Sequence, residues 1–420
     1  MKKAVRILFA IVVLGYAVLL IPDSEPIAPV IEPTQNPKKA FAWNQDEFWT
    51  ELEKQYVASK ESGCEETRRS ADSLMMLARK AIAYIGDNRL EPGNPIFRQL
   101  ENVIFGIGSV AAPCPERVST FKEIVEETRK AVKRQSEHWD MSKEETRETL
   151  YRLLYGSRGA MEEVLLHVPA SSSSDPLALG TDEPSQTPYA SILGAKIHSG
   201  DILVSRGGAP TSALIARGND FPGNFSHVAL VHVDPATHQV SIIESHIEGG
   251  VAISTPDEYL NDTKLRVMVL RLRNDLAQLQ ADSMLPHKAA ELTLKKAREK
   301  HIPYDFSMDF QNPDKWFCSE VASNAYKNFG VQLWMGLSHV SSPGLRTWLA
   351  AFGVEHFETQ EPSDLEYDPQ LRVVAEWRDP EQLRKDHYDN AVTEAMLEGA
   401  EAGDRLTYAW YMLPVARTMK

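Results

Sequence analysis

FSHVALV at residues 225–231 and WFCSEVASNAY at residues 316–326 decide how this chain is read. In the second, Asp314 to Phe317 gives way to an apolar stripe of Ala322, Ala325 and Phe329, closed by Gly330, which is the pattern of a helix with a glycine C-cap. Cys318 therefore falls in the first helical turn. Unpaired amides and the positive end of the helix dipole favour a thiolate there, the form that attacks carbonyls.

The first segment opens an alternating, β-branched run, HVALVHV, which reaches a polar turn at Asp234 to Gln239 and returns as VSIIESHI. This is a hairpin signal. If Val233 pairs with Val240, His227 lies opposite His246 and diagonal to Glu244, all on one face, because the side-chain period of a strand is two. A longer loop of the same parity sets Glu244 directly across from His227, and a one-residue slip separates them. In either same-parity register a carboxylate orients the imidazole, which gives the Cys/His/Glu logic of an activated nucleophile, with His246 as a rival third member.

HSGDILVSRG, FSHVALV, SIIES, IPYDF and WFCSEVASNAY, in that order, resemble the YiiX-like cysteine hydrolases, circularly permuted papain-fold relatives of the NlpC peptidases. As in the permuted branch, the cysteine helix follows the GD and HV strands. The resemblance spans roughly residues 195 to 345. It implies Cys318 as nucleophile, His227 as base and Glu244 as orienting acid, with Gly200 and Asp201 opening the first barrel strand and Tyr304 as pocket wall or hydroxyl donor. Ser245 departs from the pattern, which often carries alanine there.

The chain has 420 residues, 43% hydrophobic, and a net charge of -14. That is room for two or three cores at about 100 to 200 residues each. The acidity argues against a nucleic-acid partner. Lys2, Lys3 and Arg6 precede ILFAIVVLGYAVLLI, an export signal or an inner-membrane anchor over residues 4–21. The expected location is the periplasm or cell envelope. In an oxidising compartment Cys64 and Cys114, within one small region, pair as a disulfide, leaving Cys318 as the unpaired thiol that catalysis accounts for.

The expected fold class is α+β, an N-terminal helical bundle followed by a permuted papain-like domain with a small antiparallel barrel and a cysteine-bearing helix. The expected boundaries are 1–22 signal or anchor, 23–42 linker, 43–167 helical bundle, 168–188 linker, 189–345 hydrolase domain and 346–420 extension. Helical periodicity covers roughly 45 to 60, 65 to 85, 95 to 107, 116 to 138 and 142 to 166. In the extension LRVVAEW reads as a strand, and 380 to 401 with 405 to 418 read as closing helices.

The pattern implies acyl transfer. His227 takes the thiol proton, Cys318 attacks an amide or ester carbonyl, and helix-start amides hold the oxyanion. No metal or cofactor is called for, since the remaining histidines lack ligand spacing. Tyr304, Trp316 and Arg206 are candidate substrate-binding residues, with Arg206 and Arg217 facing a carboxylate or phosphate from the loop at 206–225. The substrate classes are cell-wall peptides and lipid-like amides. The alternatives are a lipid acyltransferase or thioesterase using the same pair, and a non-catalytic envelope interaction protein. The sequence sets no oligomeric state.

Overall fold

A computed structural model describes residues 2–21, 47–167, 177–406 and 411. The expected linker at 23–42 and most of the closing helix at 405–418 lie outside the described residues, as does the stretch 168–176 of the second linker.

The apolar N-terminal run forms α1 (Lys2–Leu19). No helix among the described residues is long and apolar enough to cross a membrane. Five further helices follow: α2 (Glu47–Ser62), α3 (Cys64–Asp87), α4 (Pro95–Ala111), α5 (Val118–Ser136) and α6 (Glu144–Tyr151), the last continuing through a π-turn into α7 (Ser157–His167). Their boundaries follow local chemistry. Asn94 caps α4 by accepting from the amide of Ile96, with Pro95 at the first helical position, where its missing N–H is not needed. A disulfide joins Cys64, the first residue of α3, to Cys114 in the turn before α5. Phe97, Leu100, Ile104, Phe121, Ile124, Val132 and Leu150 form one apolar cluster, and that cluster also takes in Tyr367 and Leu383 from the far end of the chain.

The remaining elements are β1 (Leu177–Leu179), β2 (Tyr189–Ile192), β3 (Ala195–His198), β4 (Ile202–Gly207), α8 (Pro210–Arg217), β5 (His227–Val233), β6 (Val240–His246), β7 (Gly250–Ser254), α9 (Pro256–Asn261), β8 (Lys264–Leu272), α10 (Ala277–Ala281), α11 (Leu285–Glu299), α12 (Cys318–Lys327), β9 (Ser338–His339), α13 (Pro343–Ala351), β10 (Glu358–Thr359), α14 (Asp364–Tyr367), β11 (Leu371–Trp377) and α15 (Pro380–Glu401). Seven strands make an antiparallel sheet in the order β1-β11-β8-β4-β5-β6-β7, with β1 and β7 at its ends. The expected barrel strands thus lie in a sheet with two terminal strands, and β2 and β3 pair separately as a two-stranded sheet. Two of its strands come from outside 189–345. LRVVAEW is β11, paired with β8, and β1 in the expected linker pairs with β11. One face packs Val204, Val228, Leu230, Met268 and Leu270 against Val321, Ala322 and Ala325 of α12 and Ala289, Ala290 and Leu294 of α11. Leu203, Ala229, Val231 and Val267 make a second cluster with Tyr259 and Ile197.

The helical region and the sheet are locked by buried charge. Arg129 pairs with Glu376 at 3.0 Å and Arg378 with Glu126 at 2.8 Å. Arg266 holds both Glu162 (2.8 Å) and Asp386 (2.6 Å). Arg158 with Glu366 and Arg147 with Asp364 complete the set. Such pairs are expensive to desolvate singly, so they fix how the elements meet more than they add net stability.

Candidate active site

The hairpin adopts the register with Val233 opposite Val240, and Ala229 opposite Glu244. His227 is two residues from Ala229, so it shares a face with Glu244, and Glu244 is opposite Ala252 of β7. The imidazole Nε2 lies 2.9 Å from Glu244 Oε2. Because a carboxylate only accepts, Nε2 carries the proton and donates, which leaves Nδ1 unprotonated. The other oxygen, Oε1, accepts from Ser254 Oγ at 2.6 Å and lies 3.3 Å from His246 Nε2.

Cys318 is the first residue of α12 and is 5% exposed. Its Sγ lies 4.0 Å from the carbonyl of Ser226, the residue before His227. Three contacts fix the approach to the helix. Ser245 Oγ donates to the Trp316 carbonyl at 2.7 Å, the Trp316 amide donates to Pro303 at 3.0 Å, and the Phe317 amide donates to Glu320 Oε2 at 2.9 Å. The serine that departs from the family pattern therefore ties the strand of Glu244 to the cysteine loop. Gly330 has φ 75°, the left-handed conformation a glycine supplies without strain, and the Val331 amide turns back to the Tyr326 carbonyl at 3.2 Å. Gly250, also at positive φ, lets β7 approach Ile302 so closely that a Cβ would meet the Ile302 carbonyl at 2.1 Å. This seats the segment that carries Tyr304.

Electrostatically the set rests neutral except for the carboxylate. Burial pushes the Cys318 thiol up to about 11, outweighing the backbone amides of Val228 and Ser319 that pull it down. The helix-start position therefore does not make a resting thiolate here, contrary to the sequence expectation. Burial also lowers His227 despite Glu244. Burial opposes ionisation of Glu244, but hydrogen bonds from His227 and His246 outweigh it and hold the carboxyl well below the usual range. Charge separation thus has to accompany attack on a substrate, with the thiol proton passing to the imidazole.

Tyr304 stacks edge-on against Phe306 at 5.1 Å, and burial together with the neighbouring Cys318 and Glu361 raises its hydroxyl well above 10. Trp316 is buried beside the nucleophile. Arg206 is a correction. It is fully buried and pairs with Asp386 of α15 at 3.3 Å, because its strand position directs it under that helix. Arg217 is likewise buried, donating to Tyr155 at 2.6 Å and to Glu394 at 2.8 Å. Glu361 was not singled out from sequence. Burial raises it to about 8, and it acts on both Cys318 and Tyr304. It comes from a stretch with no local motif, so only the fold reveals it.

A cleft of about 1180 Å³ has none of Cys318, His227 and Glu244 in its lining; its walls include Met308 to Gln311, Asp220, Phe221 and Glu358, which lie near Tyr304, His227 and Glu361 in sequence. The helical region contributes Met141 and Arg147 to it. Cys64, Cys114 and Glu116 lie close enough to hold a metal, but both sulfurs are spent in the disulfide.

Residues 196–375 match the permuted papain-like amidase enzyme family, YaeF/YiiX, C92. This segment is similar to the YiiX-like permuted papain-fold hydrolases. It runs from β3 to β11, less than half of the chain, and the papain-like amidases of this family are cysteine hydrolases. No curated protein and no solved structure matches the chain. The match supports amide hydrolysis as the general chemistry, and Cys318, His227 and Glu244 all lie inside the matched residues.

Proposed function

We propose that the protein is an exported amidase that cleaves a peptide amide through Cys318, His227 and Glu244. The observation that carries the reading is the 2.9 Å contact from His227 to Glu244, in a strand whose preceding residue touches the Cys318 sulfur. With Nε2 committed to Glu244, Nδ1 takes the thiol proton as Sγ attacks the carbonyl carbon. The amide of Cys318 supports the oxyanion. The imidazolium then protonates the leaving amine, and water, deprotonated by the same imidazole, releases the acid from the thioester. Glu244 stays ionised throughout.

The mixed lining of the cleft favours a peptide, such as a cell-wall peptide, over a lipid-like amide. Glu144, Asp220, Asp309, Glu355 and Glu358 line it together with Met141, Met308, Phe310 and Phe357, whereas an acyl chain calls for a continuous apolar tunnel. The disulfide and the basic-then-apolar start of the chain favour action in the periplasm or envelope, with α1 as export signal or anchor. The test is a mass-spectrometric screen of peptide amides and N-acyl amides with wild type and Cys318→Ala. Products from the wild type alone, with both proteins melting alike, support the proposal; equal activity in the two, or cleavage of N-acyl amides only, removes it.

A further inference from the structure

Glu244 serves two histidines, and only one of them is needed for the proton transfer described above. His246 is set opposite Gly250 at the end of β6, 35% exposed, with its ring 5.6 Å from that of His227 and nearly parallel to it. Its Nε2 lies on the same Glu244 oxygen that accepts from Ser254. A buried carboxylate with three donors from β5, β6 and β7 has three of its roughly four acceptor sites filled, and the charge on one donor bears directly on what the carboxylate does for the others.

We propose that His246 is a positioning residue that tunes the reaction, its charged form withdrawing Glu244 from His227 and its neutral form releasing the full carboxylate to it. The inference rests on the reading of Cys318, His227 and Glu244 as the reacting set. As the imidazolium of His227 forms, it gains from an adjacent negative charge and loses from an adjacent positive one. His246 exchanges protons with solvent, so the balance follows external pH. The charged and titratable groups facing it are Glu244 and His227 on the sheet, Lys264 at the start of β8 and Asp262 just before it. Lys264 and Asp262 pair at 2.7 Å and largely cancel. α9 also packs on β6, but its Glu258 is spent capping Thr255 and its Tyr259 is buried. The net partner of His246 is therefore Glu244, which favours its charged form over its ordinary behaviour.

The test uses alkylation of Cys318 by iodoacetamide in the full chain, read by intact mass from pH 5 to 9, with thermal melts for every variant. In wild type the logarithm of the rate should fall at acid pH more steeply than His227 alone would make it, because protonation of His246 adds to that of His227. His246→Gln keeps an N–H for Glu244 without titrating. Its slope should be near one, and at pH 5.5 it should react about tenfold faster than wild type, one pKa unit of relief. His246→Lys, permanently charged, should react about tenfold slower than His246→Gln at pH 8. A gain of rate at acid pH is not what loss of a merely structural contact produces. Coincident profiles for wild type, His246→Gln and His246→Lys overturn the proposal while leaving the triad intact. Equal rates for wild type and His227→Ala overturn the triad reading, and this proposal with it.

Discussion

Replacing Glu244 with glutamine tests the site at its most defined contact. The carboxylate accepts from His227, Ser254 and His246 together. A glutamine presents one oxygen and one NH2, and with the oxygen retained by Ser254 the NH2 faces Nε2. The imidazole must then carry its proton on Nδ1, the atom that has to accept from the thiol. The charge is lost as well. With charge centres about 4 Å apart and an effective dielectric near 20, the attraction between imidazolium and carboxylate is about 4 kcal/mol. At 1.36 kcal/mol per decade that is about three decades of rate. The expected result is a fall of about 10²–10³-fold in Cys318 alkylation by iodoacetamide at pH 7, approaching His227→Ala, with a melting temperature below that of wild type near neutrality. The sign of the pH effect is fixed. Glu244 titrates lower in the folded chain than in the unfolded one, so its stabilisation is present above the unfolded value of about 4.3 and lost as pH falls below it. The variant should therefore lose less stability than wild type on acidification below about pH 4. Wild-type alkylation in Glu244→Gln beside a dead His227→Ala would refute the reasoning, because the imidazole would then be oriented by something else.

Three further outcomes are expected. Cys64→Ser opens a link spanning 50 residues and should lower unfolding free energy by about 4 kcal/mol on loop entropy, seen in urea denaturation, while leaving turnover intact. Arg158→Met strands the fully buried Glu366 and should cost about 3–5 kcal/mol; combining it with Glu366→Leu should restore part of the loss, and a double variant no better than the single one contradicts this. Burial pushes the Lys133 ammonium down to about 7, so between pH 7 and about 10 the unfolded chain binds a proton that the folded chain does not. The stability of wild type relative to Lys133→Met should then rise across that window, and a gap that stays constant from pH 7 to 9.5 counts against it.

What the sequence made legible was local. The turn at 234–239 and strict alternation put His227 and Glu244 on one face in either same-parity register, and the fold takes the one with Val233 opposite Val240. α15 ends where its pattern does, and the helical stretches from 45 to 166 lie within α2 to α7 to within a few residues at most ends. Long-range relations were not legible. Arg206 and Arg217 read as facing a ligand's carboxylate or phosphate because nothing near them in sequence announces Asp386 or Glu394. β1, only Leu177–Leu179, was hidden in the polar segment 168–188 and acquires its identity only by pairing with β11. The state of Cys318 was misjudged for a related reason: its place at the helix start is local, whereas the burial that dominates it depends on the packing of the whole domain.

The buried arginine pairs have a practical consequence for how this chain is divided. A fragment beginning near residue 190 retains the whole family match, yet it takes Arg129 from Glu376, Arg158 from Glu366, Arg147 from Asp364 and Glu162 from Arg266 at once and exposes the apolar flank of Tyr367 and Leu383. The segment that matches relatives is thus not an excisable module. Expressed alone it should aggregate, and grafted behind a foreign leader it should need its helical half carried along, so recombination that respects this architecture exchanges both parts together.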